Sequence, residues 1–371
     1  MRLLYVCADP GIALRGTKGA SAHVRQVTAA LARRGHTVTL ACRRVDGDSE
    51  PPGGVLVEVM PTSKDEHERW LADLCWREGV EAVVERYSLA SGAAHRVAAA
   101  QRIRLVLEVN APLVREAARY RGLLDVERRS AHERELLRAA DAVVAVSEAV
   151  AAHALGAGVP SERVAVIPNG VEVSRFVGAD GTPVRRRHGL SDAVVVGFCG
   201  SLKPWHGVDL LIDAVGLLGP EVHLLVVGDG PERARLLECG RRRGLGERMV
   251  MTGAVSYDLI PSHLAAMDIG VAPYGAMDDF YFSPLKVVEY LAAGLPVVAS
   301  ALGELRNFGG AVQLVPPGDV TALARALGAL VSDPARRGQL GERGPALAAR
   351  RTWDGVAVRL EGLLRTALVA A

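Results

Sequence analysis

The sequence is short of aromatic side chains, of lysine and of paired cysteines, and it contains no long apolar run. Phe, Trp and Tyr make up 4% of its 371 residues, too few for a platform on which nucleic-acid bases would stack. The formal net charge is +2, which provides no general attraction for nucleic acid or for an anionic surface. No nucleic-acid partner is therefore expected. The cysteines, Cys7, Cys42, Cys75, Cys199 and Cys239, are odd in number and form no C-x-x-C pair. That argues against a disulfide framework or a zinc site and for reduced thiols in a cytoplasmic protein. The opening MRLLYVCADPG is a short strand broken by Asp9-Pro10, without the apolar core of a signal peptide. No run approaches the ~20 residues of a membrane span.

The scarcity of lysine is itself informative. Of 44 basic residues only four are lysines, Lys18, Lys64, Lys203 and Lys286. A chain that uses arginine nearly everywhere keeps lysine where a compact point charge serves and a planar guanidinium does not. Lys64 stands in the polar run TSKDEHE, whereas the other three fall in the most ligand-like stretches of the chain.

What is present is a large apolar content, 49%, in a chain long enough for two domains. Short β-branched runs alternate with amphipathic helical segments, the mark of parallel sheets wrapped by helices. RLLYVCA and TVTLACR flank a helix from about Ala20 to Arg34, and strands follow at 82–87, 103–109, 142–147 and 163–169. The pattern restarts with strands at 193–200, 223–230, 249–255, 269–274 and 296–300. The segment 173–192, rich in Gly and Arg, reads as the linker. Residues 1–175 and 176–352 are expected to form the two domains and 353–371 a terminal helix crossing back to the first. Two such doubly wound sheets leave a cleft at the carboxyl ends of their strands, where ligands bind.

Four stretches carry possible chemistry. RGTKGASAHV (15–24) is a glycine loop opening a helix, with Gly16, Lys18 and Gly19 able to approach an anion. It lacks the endings of a P-loop or a dinucleotide fingerprint, and a tight turn with positive φ at the two glycines is the plainer account. FCGSLKPWHG (198–207) ends a strand at Gly200 and puts Lys203 in the following loop, with Trp205 and His206 read as loop packing. VVGDGPERARL is a turn with Pro231 opening a helix. In FYFSPLKVVEYLAAG (280–294), Ser283 is suited to cap a helix and Pro284 to its first position. Lys286 and Glu289 share one side of that helix, with Leu285, Val288 and Ala292 as its apolar face. A surface ion pair between the two would contribute less than about 1 kcal/mol, so stability gives little reason for both.

These motifs in order, with VIPNGVE at 166–172 and SPLKVVEYLAAGLPVVAS from Ser283, resemble the retaining glycosyltransferases of the GT-B fold, family four. The resemblance spans essentially the whole chain. It implies an α/β architecture of two Rossmann-like domains facing across a cleft, with an acceptor in the first and a nucleoside-diphosphate sugar in the second, a UDP-sugar slightly favoured. The sugar would pass to a hydroxyl or amine of a small molecule or glycan with retained anomeric configuration. No cofactor and no metal are expected, since the sugar nucleotide is a substrate and no D-x-D motif is present.

In the family's Glu-x7-Glu element the second glutamate matches Glu289, on ribose. The first, on the donor sugar, falls on Tyr281, and Asp278 or Asp279 are its candidate replacements. Ser283, Pro284 and Leu285 stand where backbone N–H groups meet the sugar and diphosphate, although Pro284 has none. The diphosphate-binding arginine and lysine fall on Ser201 and His206, so Lys203 and Lys286 are expected to supply that charge. Asn110, with Glu108 close by, stands where a histidine is common. Gly16, Lys18, Gly19, Gly200 and Val255 complete the expected donor contacts, and Lys286, Lys203 and Asn110 are the catalytic candidates.

A nucleotide-sugar 2-epimerase of the same fold and a non-catalytic sugar-nucleotide or glycan-binding protein share these motifs. The stretch Arg102–Arg138, whose arginines are balanced by Glu108, Glu116, Glu127, Glu133 and Glu135, reads as a solvated helical face. It leaves peripheral contact with a membrane open. The preference for arginine fits a GC-rich bacterial source, with natural-product or cell-envelope glycan synthesis as the setting.

Overall fold

The computed structural model describes residues 1–48 and 51–366. The first half alternates β1 (Arg2–Cys7), α1 (Gly19–Arg33), β2 (Thr37–Cys42), β3 (Val55–Val59), α2 (His67–Glu78), β4 (Ala82–Arg86) and α3 (Ala93–Gln101). It continues with β5 (Arg104–Val109), α4 (Leu113–Tyr120), α5 (Val126–Ala139), β6 (Ala142–Ala145), α6 (Glu148–Gly156) and β7 (Val164–Val166). The seven strands form one sheet in the order β3-β2-β1-β4-β5-β6-β7, parallel throughout. β1 is buried along its length after Arg2, as a strand covered by helices on both faces must be, which is why it reads as a continuous apolar run.

The second half holds α7 (Thr182–Arg187), β8 (Val194–Cys199), α8 (Val208–Val215), β9 (Val222–Val227), α9 (Arg233–Arg242), β10 (Met249–Gly253), α10 (Ile260–Ala265) and β11 (Ile269–Ala272). After these come α11 (Leu285–Ala292), β12 (Val297–Ser300), β13 (Val312–Val315), α12 (Val320–Val331), α13 (Pro334–Gly341), α14 (Gly344–Ala348) and α15 (Trp353–Thr366). Its sheet, β10-β9-β8-β11-β12-β13, is again parallel. Strand order reverses at β1 in one sheet and β8 in the other, and the loops after these two strands carry the glycine-rich motifs. The two facing parallel sheets are the GT-B arrangement.

α15 packs with α1, burying Trp353, Ala357, Leu360 and Leu364 in the same core as Leu3, Tyr5 and Val27. The chain thus passes between the halves twice, and the two passages touch. Val171 and Thr352 form a parallel bridge, and a Cβ on Gly170 would lie 2.5 Å from the Trp353 nitrogen. The part of the expected terminal helix after residue 366 lies outside the described residues.

Three expectations are corrected. Segment 173–192 is folded rather than a free linker: α7 lies within it, Val184 and Leu190 are buried, and Arg185 pairs with Asp268 at 2.6 Å. Strands β3 and β13, each a short edge run interrupted by a polar residue, Glu58 or Gln313, were not anticipated. Pro231 precedes α9 by two residues instead of opening it. No helix among the described residues is long and apolar enough to cross a membrane.

Candidate active site

A cavity of about 650 Å³ lies between the two sheets and draws residues from both halves. One wall is α11. Its N-terminal boundary is Pro284 at φ −77°, with no side chain capping the first turn. Ser283 was expected to do so, but its hydroxyl accepts from the Asn169 backbone N–H at 3.0 Å and its carbonyl from Asn169 Nδ2 at 2.9 Å. Ser283 therefore ties α11 to the end of the first half. The helix is buried well beyond the expected stripe, Val287 to Ala292 all being inside, and Tyr290 fixes it to β8 by accepting from Cys199 N at 2.7 Å.

This anchoring places Lys286 beneath Gly200. Its Nζ is 4.4 Å from the Phe198 ring centre and 5.1 Å from that of Tyr274. The residue is partly open to the cleft as a whole, but Nζ is buried and has no hydrogen-bond partner among the described residues. Burial lowers its pKa to about 7. One turn on, burial raises Glu289 to about 7, against the opposing pull of Arg175 and of a hydrogen bond with Tyr257. Arg175 covers the Tyr257 ring at 3.9 Å, so Glu289 lies in a polar pocket flanked by an arginine and a phenol.

His206 was read as loop packing, yet it lines the cavity. Its Nδ1 lies 2.5 Å from the Ser201 carbonyl, and burial followed by the neighbouring Lys286 pushes its pKa well down. It thus brings no fixed positive charge to the position where the family's lysine was aligned. Lys203 stands at the rim, its Nζ 5.9 Å from the Trp205 ring centre. Trp205 in turn meets Tyr120 of α4 at 4.6 Å, a contact from one half to the other.

Opposite α11 lies the loop after β1. Gly19 opens α1 and faces Leu285, whose Cδ1 a Cβ would approach to 3.4 Å. Lys18 donates to the Gly11 carbonyl at 2.8 Å and lines the cavity. Neither Gly16 nor Gly19 has the positive φ that the turn account requires. Gly16 lies behind the wall, its carbonyl accepting from Arg25 at 3.0 Å. Val255 is likewise outside the lining and packs on the second-half core.

Asn110 donates to Glu108 Oε1 at 2.6 Å, and both belong to a buried network that sequence reasoning missed. His23 Nε2 lies 2.7 Å from Glu108, Arg86 3.1 Å and the Tyr5 hydroxyl 3.2 Å. Burial alone would raise the Glu108 pKa, but His23 and Arg86 bring it down to about 2. His23 Nδ1 reaches Asn169 Oδ1 at 2.7 Å, so the network continues through Asn169 to Ser283 and α11.

Tyr281 is anchored through its carbonyl, which accepts from Ser147 Oγ at 2.7 Å. Its hydroxyl donates to Glu116 Oε2 at 2.6 Å. Neither Asp278 nor Asp279 lines the cavity; Asp279 pairs with Arg115 at 3.1 Å instead. Glu108, Glu116 and Glu133 are buried, which corrects the solvated-face account of the stretch containing them. Among the described residues no three His, Cys, Asp or Glu side chains converge as metal ligands do.

Residues 17–175 match the glycosyltransferase family 4 model and 193–333 the glycosyl transferases group 1 model. A 2-deoxystreptamine N-acetyl-D-glucosaminyltransferase of Streptomyces fradiae is 35% identical over 199 residues, 51% of this chain and 45% of that protein. Matches to such curated relatives span about half of their length. A D-inositol 3-phosphate glycosyltransferase of Acidothermus cellulolyticus is 29% identical over 98% of this chain and 87% of its own. Among solved structures, Anabaena HepE in complex with UDP-glucose superposes with a TM-score of 0.80 at 21% identity, covering 100% of both chains.

Proposed function

We propose that this chain, which belongs to the family 4 glycosyltransferases, moves a sugar from a nucleoside diphosphate, UDP slightly favoured, to an acceptor hydroxyl or amine with retained configuration. The observation that carries the reading is Lys286. A buried ammonium without a partner among the described residues is costly unless a ligand completes it, and it lies beside the uncapped first turn of α11, an end that favours anions. A diphosphate satisfies both groups. Glu289, one turn deeper, then receives the ribose hydroxyls, and Gly19 and Gly200 let backbone approach the phosphates.

In the transfer, the bond from the anomeric carbon to the diphosphate oxygen breaks and a bond to the acceptor oxygen or nitrogen forms on the same face. The acceptor proton leaves on the departing phosphate. Negative charge grows on that phosphate, where Lys286, Lys203 and the helix end lower the barrier by standing ready. The acceptor is assigned to the first-half wall beside Asn110 and Arg86. The relatives are bacterial, and their named acceptors make an aminocyclitol or inositol-type polyol the first class to try.

The test is nucleotide release. The chain is mixed with UDP-, GDP-, dTDP- and ADP-glucose, with and without 2-deoxystreptamine or inositol phosphate. Release of nucleoside diphosphate only when an acceptor is present supports transfer, and an axial product linkage by NMR supports retention. Epimerised sugar without acceptor would mean a 2-epimerase, and binding without turnover a binding protein.

A further inference from the structure

Glu116 is a carboxylate that the donor-site reading does not use. It lies on α4 of the first half and is only 8% exposed, yet it lines the cavity together with Tyr281 and Arg121. One oxygen accepts the Tyr281 hydroxyl at 2.6 Å and the other accepts from Arg121. A carboxylate offers about four acceptor positions, so two neighbours leave capacity for groups entering the cleft. Spare acceptor positions on a buried carboxylate of this kind bind hydroxyl or amino groups, and a ligand without them gains nothing there.

Its place along the cleft determines which hydroxyls these are. Glu289, Lys286, Ser283 and Tyr281 follow one another along α11 and its lead-in, so a ligand with ribose at Glu289 and diphosphate at Lys286 projects its next group toward Tyr281. Tyr281 turns away from α11: its ring packs into the first-half core and on Phe282 at 4.2 Å, and Ser147 fixes its backbone. It holds Glu116 at the point where the sugar would end.

Resting on the donor-site reading above, we infer that Glu116 is the specificity-determining carboxylate for the transferred sugar, which it grips by ring hydroxyl or amino groups from the opposite domain, with Tyr281 as its positioning residue. The ligand class is a hexosyl nucleotide bearing free hydroxyl or amino groups on the ring edge far from the diphosphate.

Isothermal titration of UDP, GDP, dTDP and ADP, and of the matching glucose nucleotides, tests this in the wild-type chain, Glu116→Gln and Tyr281→Phe. Glu116→Gln should weaken the preferred glucose nucleotide about tenfold, roughly 1.4 kcal/mol, and leave its bare nucleotide within about twofold, which also shows that the variant folds. Tyr281→Phe should act in the same direction by about threefold. A set of monodeoxyglucose nucleotides adds a readout that a purely structural role would not move: the analogue lacking the gripped hydroxyl should bind wild type and Glu116→Gln alike. Unchanged sugar-nucleotide affinity in Glu116→Gln overturns the inference, as does equal loss for sugar nucleotide and bare nucleotide. A wild-type chain that binds no nucleotide at all overturns the donor-site reading, and this inference with it.

Discussion

Lys286 and Glu289, one turn apart on α11, are both driven toward neutrality by the same burial. The ammonium is brought down to about 7 and the carboxyl up to about 7. Holding the pair there costs stability, a trade that sites shaped for binding commonly make.

Replacing Lys286 with methionine should expose that trade. Removing a buried, unpartnered cation relieves its desolvation, so Lys286→Met is expected to raise the melting temperature of the ligand-free chain by about 2–4 °C per kcal/mol recovered. The same variant should lose the thermal shift produced by the preferred nucleoside diphosphate. Differential scanning fluorimetry reads both; a fall in ligand-free melting temperature with the nucleotide shift intact counts against the phosphate contact.

The pair also sets a pH dependence whose sign follows from linkage. Between the ordinary carboxyl value of 4.5 and about 7, the native state holds the Glu289 proton and the unfolded state does not, so stability falls as pH rises. Between about 7 and the ordinary lysine value of 10.5, the unfolded state holds the Lys286 proton and the native state does not, so stability rises. These two groups should place a dip near pH 7 in denaturant midpoints of the ligand-free chain. Glu289→Gln should remove the acidic slope and Lys286→Met the alkaline one, while unaltered slopes in both would refute the assignment.

Gly200 has φ +146°, and a Cβ there would meet Lys286 Cε at 3.1 Å. Gly200→Ala is expected to strain the backbone and displace the ammonium, cutting nucleotide affinity at least about tenfold by titration. Gly122, also at positive φ but with nothing within 4 Å of a Cβ, supplies the control: Gly122→Ala costs some stability and leaves nucleotide affinity as it was.

Glu108 behaves oppositely to Glu289. With its pKa near 2 against an ordinary 4.5, its contribution is complete above 4.5 and is lost as pH falls toward 2. Glu108→Gln leaves Arg86 and His23 without their anion, and breaking a buried pair in this way costs about 3–5 kcal/mol. Urea unfolding at pH 7 should show that loss, and the variant's stability should change less than that of the wild type between pH 4.5 and 2.

The parallel sheets were legible because their buried strands are continuous apolar runs, and the place of Lys286 in the cavity wall was signalled by the rarity of lysine in this chain. The edge strands β3 and β13 were not legible because a polar residue, Glu58 or Gln313, interrupts each short apolar run. Ser283 looked like a helix cap because local pattern is all a sequence offers; its actual partner, Asn169, is 114 residues away. Tyr281 stood out as a departure, but Glu116, 165 positions earlier, sat among surface arginines and carried no periodic signal. What the sequence hid was the pairing across the cleft, which depends on how the two halves face each other.

The two passages of chain between the halves, joined where Val171 bridges Thr352, constrain how one half could move on the other. A single strand would let one half swivel freely on the other. Two strands lying side by side resist twisting and leave bending about their common line as the soft motion. Bending about that line would carry Gly19 away from Leu285 and back along one path, and would keep the same register between the glycine loop and the first turn of α11.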